Sequence, residues 1–213
     1  MITIFSRFIV FGCIALLISA CTQTPKLVEN TTIAYFDERG NNITKPSPTG
    51  SYRQLLKIQS NGYLVQNFFV DGKTKQTDPF IIHNKEDLTA IDPLSIDGFF
   101  VQWYRNGQKA GSGHFIVGKR QGTFTEWTEQ GIKWSEMRFE NDLANGKANL
   151  WYEDGSKYIE GQYLAGKEEG EWRIWQQNGP IRFKATFDQG KVISAEDANG
   201  KPINLSKDAF TAQ

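Results

Sequence analysis

The feature that most constrains this chain is a period. Tryptophans stand at Trp103, Trp127, Trp151 and Trp175, each 24 residues after the last. Glycines keep the same step at Gly107, Gly131, Gly155 and Gly179, and again at Gly98, Gly122, Gly146 and Gly170. An aromatic ring closes each copy at Phe115, Phe139, Tyr163 and Phe187. Another glycine follows three residues later at Gly118, Gly166 and Gly190, with Asp142 in the second copy. A step of this length, held in phase over 98–193, specifies tandem units that bury their apolar faces only by stacking.

One unit reads as a β-hairpin. Gly98-Phe-Phe-Val-Gln-Trp-Tyr104 is rich in aromatic and β-branched residues, which suit a pleated, half-buried surface. Asn106-Gly107 follows, with Gln130-Gly131, Asp154-Gly155 and Asn178-Gly179 in the other copies. Such dipeptides predict two positive φ values and a type I′ turn, whose twist matches the flanking strands. A second strand runs from Ala110 to Phe115, and Gly118-Lys119 opens the turn into the next copy. Four copies predict eight antiparallel strands in an all-β meander.

The second strand alternates. Positions 111, 113 and 115, and their equivalents through Phe183, Ala185 and Phe187, give an apolar face; His114, Arg138, Gln162 and Thr186 lie opposite. In the first strand the Trp column and the Phe100, Phe124, Trp172 column differ by three residues, so rings occupy both faces and the second face requires cover. The recurring Trp is the expected main apolar contributor, each worth roughly 1.5–3 kcal/mol when buried.

Tyr163-Leu-Ala-Gly166-Lys167-Glu-Glu-Gly170-Glu-Trp172 resembles a MORN repeat, as does Phe115-Ile-Val-Gly118-Lys119-Arg-Gln-Gly122-Thr-Phe124. Trp151-Tyr152-Glu-Asp-Gly155 is similar to the MORN-variant repeats of bacterial proteins labelled YwqK-like antitoxins. The resemblance covers 98–193 and implies a meandering antiparallel sheet used as a binding scaffold, without a shared catalytic motif. Asn141-Asp142-Leu143 departs from the pattern, which leads one to expect a different loop there.

Residues 1–20 read as a cleaved signal helix: Arg7 is its one charge, and the apolar run Phe8 to Ile18 is too short to span a bilayer. Leu17-Ile-Ser-Ala-Cys21 resembles a bacterial lipobox, which implies acylation of Cys21; Thr22 in place of Asp then implies the outer membrane, facing the periplasm, in a Gram-negative host. Several acyl chains hold a protein stably to a membrane. Residues 21–33 form a tether. Residues 34–97 read as degenerate repeat with an insertion, because Phe69-Val-Asp-Gly72-Lys73 echoes Phe115 to Lys119. The tail 194–213 is polar, with a turn at Asn199-Gly200.

Without Arg7 the chain carries 23 Lys and Arg against 24 Asp and Glu, a balance that gives no electrostatic reason to bind nucleic acid. With Cys13 removed and Cys21 acylated, no thiol remains to ligate or attack. His83 and His114 have no Cys partner and read as surface residues, so neither a metal nor a cofactor is expected. Glu136 and Glu160 occupy equivalent positions in adjacent hairpins and read as a solvated face rather than a glycosidase pair. Trp134 falls out of phase with the other tryptophans, on the wet face with Tyr158 and Ala110. An exposed Trp–Tyr pair suits a partner contact. The expectation is therefore a non-enzymatic, lipid-anchored envelope protein whose sheet binds a protein through Trp134, Tyr158, Glu136, Glu160 and Arg138. An antitoxin or immunity protein, and a module for envelope glycan or lipid, are the alternatives.

Overall fold

A computed structural model describes residues 26–204. The signal segment, Cys21, the start of the tether and residues 205–213 lie outside the described residues. The strands are β1 (Thr31–Phe36), β2 (Asn42–Ile43), β3 (Ser51–Gln59), β4 (Gly62–Phe69), β5 (Phe80–Ile82), β6 (Ile96–Trp103) and β7 (Lys109–Ile116). They continue as β8 (Lys119–Trp127), β9 (Lys133–Glu140), β10 (Leu143–Trp151), β11 (Lys157–Leu164), β12 (Lys167–Trp175), β13 (Ile181–Asp188) and β14 (Lys191–Asp197). All join one antiparallel sheet that follows chain order, except that β1 lies between β3 and β2. The four repeats supply β6 to β13, as the period requires. β1 opens at Thr31, inside the segment expected as tether, and runs into the degenerate region, which supplies β2 to β5; β14 joins the end of the fourth repeat to the start of the tail. A single 3₁₀ turn, Lys85–Thr89, interrupts the connection from β5 to β6.

The turns differ from the sequence expectation. At Tyr104 to Gln108 the N–H of Gly107 donates to the carbonyl of Tyr104, and Gly107 alone takes a left-handed φ of +82°. This is a type I turn closed by a left-handed glycine, not a type I′ turn. Gly131 and Gly155 repeat it. In the fourth copy Asn178 takes the positive φ instead, at +52°. Pro180 follows Gly179 and disfavours helical backbone there. The type I′ turns lie at the other end of the sheet, between repeats. Val117 and Gly118 have φ of +49° and +76°, and Ala165 with Gly166 and Gln189 with Gly190 repeat the pair. Asn141 and Asp142 adopt +51° and +71°, so the departing loop of copy two keeps the shared geometry. Asn and Asp tolerate the left-handed region better than other side chains. Each turn is stitched to the one before: the N–H groups of Gly118, Asp142, Gly166 and Gly190 donate to the carbonyls of Ile96, Arg120, Ala144 and Glu168.

Two register slips recur in each unit. Gln102 faces Gly111 but Trp103 faces Lys109, so Ala110 is an extra residue; Trp134, Tyr158 and Arg182 are its equivalents. Such a bulge turns two neighbouring side chains toward one face. The second slip falls in β8, β10 and β12, where Gly122, Gly146 and Gly170 take positive φ.

The apolar face packs ring edge against ring face. Phe80, Phe100, Phe115, Phe124 and Phe139 form a run with centroids 5.1, 6.1, 5.2 and 5.4 Å apart and planes near perpendicular. Tyr163, Trp172 and Phe187 form a second run. This geometry sets the positive ring edge on the negative ring face. The rings fit because small residues stand beside them. A Cβ at Gly113 would lie 2.2 Å from Phe124, and one at Gly161 2.2 Å from Trp172. Ile159, Ile174, Phe183 and Ala185 complete the C-terminal core, which Ile203 covers from the tail.

At the N-terminal end the same face is closed by the segment around the 3₁₀ turn. Leu88 packs on Leu55, Val65, Phe80, Ile82 and Ile96. Arg53 is fully buried beneath it. Its Nε donates to Asn67 Oδ1 at 2.8 Å, and its Nη groups reach the carbonyls of Leu88 (3.1 Å), Ala90 (2.7 Å) and Ile91 (3.2 Å). Phe36 and Phe80 flank the guanidinium. Burial lowers its pKa to about 10, so it stays charged at neutral pH. A buried charge is tolerable when its donors are all satisfied.

Two predictions follow from this packing. Gly161→Val should place a side chain inside the Trp172 ring and lower stability by about 1–3 kcal/mol, read from denaturant midpoints. Asp154 links two turns. Hydrogen bonds from Ser156, Gln177 and Asn178 hold its carboxyl down at about 2. Its folded pKa lies below the unfolded one, so its contribution is present above the ordinary carboxylate range and is lost as pH falls toward 2. Carboxyl NMR should find a midpoint near 2 for Asp154, raised only part of the way toward the ordinary range when Gln177 and Asn178 are both changed to Ala, because the hydrogen bonds from Ser156, the larger cause, remain.

Candidate functional site

The polar face of β9 to β12 collects the candidate residues. Alternation sets Trp134, Glu136 and Arg138 on one side of β9, and Tyr158, Glu160 and Gln162 on the same side of β11. Asn149 of β10 pairs with both Glu136 and Glu160, which puts the two carboxylates in one row about 10 Å apart. Trp134 is 38% exposed, and Tyr158 packs on Tyr152 at 4.7 Å. The hydroxyl of Tyr152 donates to the carbonyl of Trp175 at 2.8 Å, fixing that ring to the next repeat. The stem of Arg138 lies over Gly146, where a Cβ would come within 2.8 Å of its Cδ.

The four periodic tryptophans depart from expectation. Trp103, Trp127, Trp151 and Trp175 are half-buried and do not belong to the core; Trp172 and the phenylalanine column do that work. They share the polar face; the segment before β5 flanks Trp103, whose Nε1 donates to Asp78 at 3.0 Å with Lys75 3.7 Å from its ring centre, and no second layer covers the other three among the described residues. Lysines lie across them instead. Lys109 sits 5.9 Å from the Trp103 ring centre and 5.2 Å from that of Trp127. Lys133 lies over Trp151 at 5.3 Å and Lys157 over Trp175 at 5.0 Å. A cation over an indole face contributes about 0.5–1 kcal/mol when exposed. The bulge makes this possible, because Lys109, Lys133 and Lys157 pair directly with Trp103, Trp127 and Trp151.

The same lysines neutralise the candidate carboxylates. Lys133 Nζ is 2.7 Å from Glu136 and Lys157 Nζ 2.5 Å from Glu160. The hydrogen bond from Lys157 holds the Glu160 carboxyl below its usual range, with further help from the charges of Lys157, Arg173 and Lys147. A shallow depression of about 290 Å³ opens beside it, lined by Lys147, Glu160, Gly161, Gln162, Glu171 and Arg173. Arg173 and Glu171 pair within it at 2.6 Å. Lys147, Gln162 and Arg173 were not singled out from sequence. The lysine column itself has a sequence signal, recurring every 24 residues at Lys109, Lys133 and Lys157.

The two histidines lie elsewhere. His114 packs against Phe99 at 4.9 Å on the polar face of β7. His83 is half-buried: Nδ1 meets the carbonyl of Asn61, and Nε2 stands 3.4 Å from Asp97. The arrangement on β9 to β12 offers rings, matched ion pairs and amide donors on paired strands, which is the chemistry of a recognition surface. Compared with known proteins, the chain matches no family model and no curated sequence. The fold itself defines an all-β repeat protein with an open meandering sheet.

Replacing Lys157 with Met should return the Glu160 titration toward the ordinary carboxylate range, as read by carboxyl NMR. Stability should change by less than about 1 kcal/mol, because the pair is exposed.

Proposed function

We propose that this is a non-enzymatic, lipid-anchored cell-envelope protein of the MORN-variant repeat kind, whose sheet docks a protein partner on the polar face of β9 to β12. The observation that carries the reading is Trp134, a large indole 38% exposed within rows of opposite charge. Exposed aromatic residues backed by rigid strands are the usual energetic centres of protein interfaces. Glu136 and Glu160 share a row through Asn149, and Arg138 and Tyr158 belong to the same two strands. The lipobox-like Leu17 to Cys21 supports anchoring.

The test is affinity capture from solubilised envelopes with the full chain as bait. A partner retained by the native chain should be lost with Trp134→Ala/Tyr158→Ala. Each truncated hot-spot residue should cost about 1–2 kcal/mol or more. Unchanged recovery with a folded variant would rule out this face.

A further inference from the structure

The two ends of the sheet differ in chemistry. At one end the tips read Arg105-Asn-Gly107, Glu129-Gln-Gly131, Glu153-Asp-Gly155 and Gln177-Asn-Gly179, all polar. At the other end stand the type I′ turns, and here exposed aliphatic side chains gather. Val117 is 74% exposed, Leu143 53% and Leu164 51%. Leu94, 84% exposed, adjoins the first of these turns, since a Cβ at Gly118 would meet its carbonyl. Val28 and Ile58 lie at the same end, where Glu29 accepts a hydrogen bond from the N–H of Ile58.

Val117 sharpens the point. It is β-branched and apolar, yet holds a left-handed φ of +49° in water, where the equivalent positions are Asn141, Ala165 and Gln189. The turn backbone is held, since the N–H of Val117 donates to Asp97 Oδ1 at 2.9 Å, but the exposed branched side chain makes the left-handed backbone costlier than Asn or Gly would. Charges along this rim are matched rather than one-signed; Arg120, for instance, pairs with Asp142 at 3.2 Å.

We infer that this end of the sheet rests on a lipid bilayer, with the type I′ tips seated among the headgroups. The route of the chain selects lipid over other occupants. β1 enters the sheet from this end, because Thr31 pairs with Leu55 and the preceding residues run toward the β3–β4 turn. Lys26 is five residues beyond Cys21, so an acylated Cys21 lies within about 18 Å of it. The anchor therefore enters at the end that bears the aliphatic rim, not at the polar one. Matched charges mean that zwitterionic lipid suffices. The inference rests on the proposed acylation of Cys21, and it leaves the polar face of β9 to β12 standing clear of the surface.

The test uses the full chain purified from membranes in detergent and reconstituted into phosphatidylcholine vesicles. An environment-sensitive dye is placed at Val117→Cys or Asn141→Cys, and at Glu129→Cys on the opposite end. Quencher-bearing lipids should quench the first two several-fold more than the third. Adding Leu143→Ser/Leu164→Ser to the Asn141→Cys protein should bring its quenching down to the Glu129→Cys level, with vesicle flotation and the β-sheet circular dichroism unchanged. Equal quenching at both ends of a chain that still floats would overturn the rim while leaving the anchor. An unmodified Cys21 by mass, in a chain that does not float, would overturn the anchor and the orientation with it.

Discussion

A sheet without a second layer must bury one of its faces with its own side chains. Here that burial depends on ring edges set against ring faces from strand to strand. The arrangement works only where room is left. Gly113 leaves it for Phe124 and Gly161 for Trp172, while Met137 and Ala148 fill the stretch between them. The row across the sheet is therefore a sequence of large and small residues, and no unit owns its own core. Stability is then shared between neighbours, as expected for stacked repeats. The two ends of the row still need closing. Arg53 does this at the N-terminal end by holding the loop carbonyls, and Ile203 does it at the other.

Bulges convert this packing into a usable surface. A strictly alternating hairpin would direct either the tryptophan column or its lysines to the wrong side. The extra residue at Ala110, Trp134, Tyr158 and Arg182 puts Lys and Trp together on the polar face. The lysines then bridge indoles to carboxylates, so the face is ordered without a covering layer. Order of this kind lowers the entropy lost when a partner binds.

Much of the architecture was legible in the sequence. Turn glycines and rings in one phase dictated eight strands, and the alternation from Ser135 to Phe139 separated the two faces correctly. What escaped was everything that depends on register. Asn106-Gly107 carries the composition of a type I′ turn, but the bulge beside it accepts a type I turn with one left-handed residue. The true type I′ turns carry Val117-Gly118 and Ala165-Gly166, in which only the glycine is of a favoured type. The tryptophan column has the composition of a core, yet its rings are half-buried and lie outside the core. Its three-residue offset from Phe100 already set it on the other face. Arg53 was invisible, since most of its partners are carbonyls more than thirty residues away, in a loop with no sequence signal for it.

The repeat also carries its own internal comparison. Four copies share a backbone, so columns that packing requires should stay uniform and columns free of packing should vary. The closing-ring column holds Phe, Phe, Tyr and Phe, and the glycine column opposite it never changes. The bulge column holds Ala, Trp, Tyr and Arg in the same geometry. The carboxylate column reads Ser112, Glu136, Glu160 and Lys184. Packing does not explain that variety, because all four backbones are satisfied with any of these residues. The large rings and the carboxylates coincide in the two middle copies, which lie farthest from the sheet's closing segments. A contact placed there would meet the most regular part of the scaffold, where its geometry is set by paired strands on both sides rather than by a loop.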